Sequence, residues 1–211
     1  MQRGEPPRHN SSRRLRDALA GEGYVLLLGP MSIVELLSLR GKYEPLEVYR
    51  RALEGRAEGV ELLRQALENG SVRKIVYLGV DGALPRLLGQ DHIIDLYGSL
   101  PRLRCPRCGR KWWLEEGTVC PNCGIKGERD SWETPRSRLL SEAVYELTTA
   151  EIVAVHGLGE PPIALGAVLA ISVSRFTRVM FLEPVPRQLQ GLGLEEPGKK
   201  LLEMLQELVS G

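Results

Sequence analysis

Two cysteine pairs constrain this chain more than any other feature of its sequence. They read Cys105-Pro-Arg-Cys108-Gly and Cys120-Pro-Asn-Cys123-Gly, and eleven residues separate them. Each pair places two thiolates on one tight turn, so that the two turns can share a tetrahedral zinc ion. Four thiolates fill the coordination shell and leave no position for water, which predicts a structural zinc site. The alternative is a redox or disulfide role for the same cysteines.

The segment 101–140 around these cysteines is predicted to form a small zinc-binding module with a basic surface. It holds nine Lys or Arg residues, five Asp or Glu residues and all three tryptophans of the chain. The sequence RKWW at 110–113 combines basic and aromatic side chains, which can stack on bases or hold a peptide. The basic surface of the module is a candidate site for an unknown protein or nucleic-acid partner, although packing is the favoured role of at least one tryptophan. The alternative is that the tryptophans pack a ribbon that has little other core.

The rest of the chain predicts an α/β protein with a doubly wound, mostly parallel sheet. Continuous apolar runs such as 24–28 are typical of strands covered on both faces, and they alternate with amphipathic segments. The predicted strands are 24–29, 74–80, 92–97, 152–156 and 178–182. The predicted helices are 33–39, 45–53, 58–68, 137–147, 162–171 and 199–209. We divide the chain into a basic flexible arm (1–16), a Rossmann-like domain (17–100 and 141–211) and the inserted zinc-binding module (101–140).

Composition narrows the class of protein without identifying it. A chain of 211 residues with 43% hydrophobic content can bury a sizeable core, and its net charge of +1 leaves any attraction to nucleic acid to local clusters. The longest apolar stretch, 163–173, is shorter than the roughly 20 residues that cross a bilayer, and the polar N-terminus lacks the apolar segment of a secretory signal. We therefore expect a cytoplasmic protein with no membrane partner. Only three Asn and six Gln beside abundant Glu and Arg are typical of thermophile proteins.

The stretch 76–108, VYLGVDGALPRLLGQDHIIDLYGSLPRLRCPRC, resembles the central region of sirtuins, the NAD-dependent protein deacylases. In that family a strand ending in Gln-Asn-Ile-Asp-Gly leads to Glu-Leu-His-Gly-Ser and then to the first zinc knuckle, in the same order and at similar spacing. Segments 25–41, 143–157 and 181–184 are similar to the family's first nucleotide-binding turn, the helix and strand before its Gly-Thr-Ser loop, and its last ribose-side strand. The resemblance covers roughly residues 22–210. It implies a sirtuin-like Rossmann domain that binds NAD and carries a zinc ribbon.

The same resemblance implies a catalytic position at Tyr97. The family's catalytic histidine, a general base toward a ribose hydroxyl of NAD, falls at Tyr97 in the sequence DLYGS at 95–99. A tyrosine hydroxyl has an ordinary pKa of about 10, which makes it a poor base near neutral pH. We therefore predict that ordinary deacylation is lost or altered. A replacement base at His156, at the carboxyl end of a predicted strand, is an alternative.

The phosphate-binding positions implied by the resemblance are Gly29, Ser32 and Gly157. The family's Gly-Ala-Gly-x-Ser turn brings backbone amides to the pyrophosphate of NAD, whereas this chain reads Gly29-Pro30-Met31-Ser32, in which Pro30 lacks an N–H donor. Gly157 begins the sequence GLG where the family has Gly-Thr-Ser. The substitutions predict a damaged phosphate cradle.

The remaining cofactor-binding positions implied by the resemblance are Arg40 and Asp81. Arg40 and the glycine after it remain from the family's Asp-Phe-Arg-Gly segment, and Asp81 remains from its Gln-Asn-Ile-Asp-Gly motif. Asp81 could still bind a ribose or an amide, or it could simply form an Asp-Gly turn. Leu78 and Phe181 replace polar family residues, and with Met31 they could fill the crevice. These replacements put NAD binding in doubt.

Three functions therefore follow from the sequence. The first is a zinc-containing sirtuin-like protein that is catalytically impaired and works as a binding or regulatory module. The second is an active NAD-dependent protein deacylase or ADP-ribosyl transferase with altered catalytic residues such as Tyr97. The third is a nucleic-acid-binding zinc-ribbon protein.

Overall fold

A five-stranded parallel sheet forms the centre of the structure. The computed structural model describes residues 23–39, 43–55, 57–158, 177–191, 194 and 198–210. The strands are, in spatial order, β3 (Ile93–Asp95), β2 (Val72–Tyr77), β1 (Tyr24–Leu28), β7 (Ile152–His156) and β8 (Arg178–Phe181). All four neighbouring pairs are parallel. This order confirms the predicted doubly wound fold, whose switch point lies between β1 and β7.

Helices pack on both faces of this sheet. The described helices are α1 (Pro30–Leu36), α2 (Pro45–Glu54), α3 (Glu58–Glu68), α4 (Ala83–Leu88), α5 (Ser137–Thr149) and α6 (Leu201–Ser210). Alternate residues of β1 point to opposite faces, so that Leu26 joins the core under α1, α3 and α6 while Leu27 joins the core under α5. Burial on both faces explains why β1 reads as a continuous apolar run.

Two helices differ from the sequence-based expectation. Helix α1 begins at Pro30, three residues before the predicted start, because proline is tolerated in the first turn of a helix. Helix α4 was not predicted, since it has only six residues and contains Pro85. The predicted helix 162–171 and the basic arm 1–16 lie outside the described residues.

The inserted module is built on a second, smaller sheet. Its strands are antiparallel, with β4 (Gly98–Arg104) between β5 (Lys111–Trp113) and β6 (Glu128–Ser131). Strand β4 follows β3 after two residues, so the sheet of the module begins beside Tyr97. Across the described ranges, no helix has the length and apolar character needed to cross a membrane.

Candidate functional site: a tetracysteine metal centre beside the switch point

The four cysteines converge at the tip of the module. Their sulfur atoms all lie within 4.8 Å of one another, and the Sγ atoms of Cys108 and Cys120 are 3.7 Å apart. A zinc ion with Zn–S bonds of about 2.3 Å holds its sulfurs about 3.8 Å apart at the corners of a tetrahedron. The donor set and its spacing therefore fit one zinc ion, held by Cys105, Cys108, Cys120 and Cys123. Four thiolates would leave that ion no open position for chemistry.

The two knuckles have the same local structure. The N–H of Cys105 donates to the carbonyl of Arg110 (2.8 Å), and the N–H of Cys120 donates to the carbonyl of Ile125 (2.8 Å). The glycine after each second cysteine has a positive φ, 73° at Gly109 and 66° at Gly124. Glycine adopts this left-handed conformation at no steric cost, so the repeated Cys-Pro-x-Cys-Gly sequence dictates the repeated turn.

All three tryptophans are engaged in packing. Trp112 is 4% exposed, belongs to the small core of the module and donates its indole N–H to the carbonyl of Gly117. Trp113 stacks on Tyr49 of α2, with ring centroids 5.6 Å apart, and so joins the module to the larger sheet domain. Trp132 lies under the guanidinium of Arg136, 4.1 Å from its ring centroid. The tryptophans therefore pack against other parts of the protein, and their environment does not favour a role in stacking on bases.

The turn that follows β1 is hydrogen-bonded to the end of β7 at the switch point. The N–H of Gly29 donates to the carbonyl of His156 (2.8 Å), that of Met31 to the carbonyl of Gly157 (3.3 Å), and that of Ser32 to the carbonyl of Gly29 (3.1 Å). A Cβ atom on Gly29 would lie 2.0 Å from the Gly157 carbonyl oxygen, so only glycine permits this approach. The amides of the turn are thus satisfied within the protein.

The side chain of Ser32 is locked into the same contact. Its hydroxyl donates to the carbonyl of His156 (2.9 Å) and lies 3.1 Å from Nδ1 of the His156 ring, while Nε2 of that ring lies 3.1 Å from a carboxylate oxygen of Glu35. Ser32 is fully buried, so this Ser–His–Glu array cannot present a nucleophile to a substrate. It fastens α1 to the end of β7. Sequence reasoning missed the array because Ser32 and His156 are 124 residues apart.

Asp81 is fully buried and its carboxylate is satisfied by the protein. One oxygen accepts hydrogen bonds from the hydroxyls of Tyr43 (2.7 Å) and Tyr77 (2.5 Å), and the other accepts the N–H of Ala83 (2.8 Å). Burial raises the pKa of Asp81, and the tyrosine hydrogen bonds oppose that rise. Burial and the nearby carboxylate raise the pKa of each tyrosine, so both hydroxyls remain donors. A Cβ atom at Gly79 would lie 2.2 Å from the Tyr77 hydroxyl, which shows that Tyr77 fills the space beside residue 79.

The turn that carries Tyr97 is held by the module. The backbone N–H of Trp132 donates to the carbonyl of Tyr97 (3.1 Å), and its indole N–H donates to the carbonyl of Leu96 (2.9 Å). Trp132 directly follows β6, which returns from the second knuckle. The Tyr97 side chain is half-buried against the core under α5.

A buried ionic network lies beside this turn. The guanidinium of Arg102, on β4, forms ion pairs with the carboxylates of Asp95 (3.0 Å) and of Asp130 on β6 (2.6 Å). The hydroxyl of Ser99 also donates a hydrogen bond to Asp95 (2.7 Å). Lys111 reaches Asp130 at 2.9 Å. Burial raises the pKa of Asp95 to about 6, although Arg102 and Ser99 act in the opposite direction. These buried ion pairs therefore join the strands of the module to β3 of the larger domain.

The other positions singled out in the sequence have different surroundings. Arg40 lies outside the described residues. Leu78 and Phe181 are buried in the core under α5, whereas Met31 is 44% exposed and does not fill the crevice.

The fold and the site together define a doubly wound α/β protein with an inserted tetracysteine module. No family model matches the chain. Over 113 residues it is 34% identical to an NAD-dependent protein deacylase of Thermus thermophilus, and the match covers 45% of this chain and 44% of that protein. It is 36% identical over 62 residues to the NAD-dependent protein deacylase of Aeropyrum pernix, covering 27% of this chain and 25% of that one. The matched region thus spans less than half the length of these curated relatives.

Solved sirtuin structures share the fold over nearly the whole chain. A Sir2 homologue–NAD complex superposes with a TM-score of 0.64 and 20% identity, covering 95% of this chain and 93% of that chain. A structure of Sir2Tm bound to a propionylated peptide gives a TM-score of 0.61 and 19% identity, covering 95% and 98%. The chain thus has the sirtuin fold over nearly its whole length, and part of its sequence is similar to NAD-dependent protein deacylases.

Proposed function

We propose that this protein is a zinc-containing sirtuin-fold binding module in which NAD-dependent deacylation is lost or strongly impaired. The observation that carries the proposal is the closed turn at Gly29–Ser32. Backbone amides in such a turn bind a pyrophosphate only if they are free to donate to it. Here the amides of Gly29, Met31 and Ser32 already donate within the protein, and Pro30 has none.

The hydrogen bonds of Asp81 support the same proposal. The carboxylate of Asp81 accepts three hydrogen bonds from the protein, so a ligand would have to displace a buried tyrosine hydroxyl to reach it. Breaking a hydrogen bond to a buried charged group costs on the order of 1.5–3 kcal/mol. Tyr97 stands where the resemblance implies a histidine base.

The metal centre has a structural role in this proposal. The buried core of the module consists of only Leu103, Cys105, Trp112 and Cys120, with few partly buried neighbours. So small a core contributes little stability by itself, and a bound zinc ion supplies the missing folding energy. The module would then present its exposed basic surface to a partner.

The test combines NAD binding with turnover. We expect calorimetry to detect no NAD or ADP-ribose binding at micromolar concentrations, and mass spectrometry to detect no NAD-dependent deacylation of an acetyl- or propionyl-lysine peptide. The Tyr97→His variant should remain inactive, because it restores the histidine but leaves the turn closed. NAD-dependent turnover by the wild-type protein would overturn the proposal.

The second candidate function is an active NAD-dependent protein deacylase or ADP-ribosyl transferase. The names of the Thermus and Aeropyrum relatives favour it. It requires the turn to open when NAD binds, with Tyr97 or another group as the base. In that case wild-type protein deacylates or transfers ADP-ribose, and Tyr97→Phe abolishes turnover while the circular dichroism spectrum is unchanged.

A further inference from the structure

We propose that the exposed face of the two zinc knuckles binds the phosphate backbone of duplex nucleic acid without reading its sequence. Four cations lie on the knuckles or directly beside them, and all are exposed: Arg104, Arg107, Arg110 and Lys126. The inference rests on the proposed function in that it names the partner of the binding module. DNA binding and NAD binding are measured separately, so either result can fail alone.

These cations differ from most exposed arginines elsewhere in the described structure. On α2, Arg50 and Arg51 are both paired with Glu47 and Glu54. On α3, Arg64 is paired with a glutamate one turn earlier. A surface on which each arginine lies beside a glutamate has little net positive charge to attract a polyanion.

The knuckle cations have no such partners among the described residues. Arg104, Arg107 and Lys126 form no ion pair there, and Arg110 bonds only the neutral side chain of Asn122. The bond to Asn122 draws Arg110 from the first knuckle across to the second. Since the four sulfur atoms lie within 4.8 Å of one another, the cations surround one compact tip.

The net charge of this tip determines how tightly we expect it to bind nucleic acid. A zinc ion with four thiolates carries about two negative charges, so four cations exceed the charge of the metal centre. Glu128, the cross-strand neighbour of Arg104, is exposed and reduces the surplus further. The expected binding is therefore weak and strongly salt-dependent, with a Kd of about 10⁻⁴ to 10⁻⁶ M at physiological salt.

The environment of the three tryptophans favours a duplex over a single strand as the ligand. Proteins hold single strands by stacking bases on exposed aromatic rings. Here Trp112 is buried, Trp113 is stacked on Tyr49, and Trp132 is covered by Arg136. Cations without a stacking surface fit a duplex, whose bases are already stacked and whose phosphates face outward.

The experiment is a fluorescence anisotropy titration of the zinc-loaded full chain with a short labelled DNA duplex of random sequence. With up to four phosphate contacts, we expect log Kobs to fall with log salt at a slope of up to about −3.6, which is a loss of about a hundredfold between about 50 and about 200 mM salt. The double variant Arg107→Gln/Lys126→Gln should reduce the magnitude of that slope by about two. The matched control Arg50→Gln/Arg51→Gln removes the same charge from α2 and should leave the slope unchanged.

Three results would each overturn the proposal. Binding that does not change with salt would mean that phosphate contacts are not responsible. Tighter binding of a single strand than of the duplex would require an accessible stacking surface. Equal binding of a polyglutamate peptide would assign the face to an acidic protein partner instead of nucleic acid.

Discussion

Arg102 is the side chain whose loss should most damage the junction between the module and the α/β domain. It is 4% exposed and lies within 3.0 Å of Asp95 and 2.6 Å of Asp130. Arg102→Gln would leave two buried carboxylates without their shared cation. Removing one partner from a buried ion pair costs about 3–5 kcal/mol, because the remaining charge is uncompensated. For a chain of this size, that corresponds to a fall in Tm of roughly 10 °C.

The pH dependence of this loss follows from Asp95. Its pKa is already raised to about 6 by burial, and removing Arg102 removes an influence that lowers it. A carboxyl with a raised pKa in the folded state contributes its full stability when it is protonated, and loses that contribution as the pH rises through the folded pKa. The Arg102→Gln variant should therefore be destabilised more at about pH 8 than at about pH 5.

The assay is urea unfolding followed by far-UV circular dichroism at both pH values. Arg104→Gln is the matched control, since Arg104 lies on the same strand two residues away but is exposed and unpaired among the described residues. An exposed substitution of this kind should change the free energy of unfolding by less than about 0.5 kcal/mol. Equal losses in the two variants, or a loss in Arg102→Gln that does not depend on pH, would refute the reasoning.

Three further perturbations test separate parts of the structure. Asp95→Asn should gain stability relative to wild type by up to about 3 kcal/mol between about pH 4 and about pH 7, measured by urea unfolding, because only the wild type loses stability as Asp95 ionises; a constant difference would contradict the raised pKa. Gly157→Ala should be less stable than Gly70→Ala by about 1–3 kcal/mol in thermal unfolding, since both glycines have positive φ but an added Cβ clashes only at Gly157; equal losses would argue against the close contact of Gly157 with the Ser32 turn. Removing the metal with a chelator should shift the total tryptophan emission, to which buried Trp112 contributes, to longer wavelength while most of the far-UV circular dichroism signal persists, and an unchanged emission spectrum would count against a structural ion.

The parts of the fold that the sequence predicted are those with local signals. Strand β7 matches the prediction over 152–156, because buried parallel strands read as continuous apolar runs. The cysteine cluster followed from spacing, since two Cys-x-x-Cys turns together supply the four ligands of a tetrahedral metal ion. Helix α4 could not be predicted, because six residues that include a proline lack a helical period.

The contacts that close the candidate site left no local signal. Tyr43 reaches Asp81 across 38 residues, and Ser32 reaches His156 across 124. Nothing in the residues around Tyr43 marks it as a partner of a carboxylate. Pairings of this kind depend on the tertiary packing of the sheet, so motif spacing could indicate where the switch point lies but could not show that the amides of its turn are already hydrogen-bonded within the protein.

The return of β6 to the Tyr97 turn limits which parts of the module can be exchanged or deleted. The module enters through β4, passes both knuckles and comes back to place Trp132 on the carbonyls of Leu96 and Tyr97. A chimera that exchanged only the knuckles, 105–123, would keep that support. A deletion of the whole insertion would leave both carbonyls without their donors. The module therefore supports the domain into which it is inserted, and it cannot be removed or replaced as an independent unit.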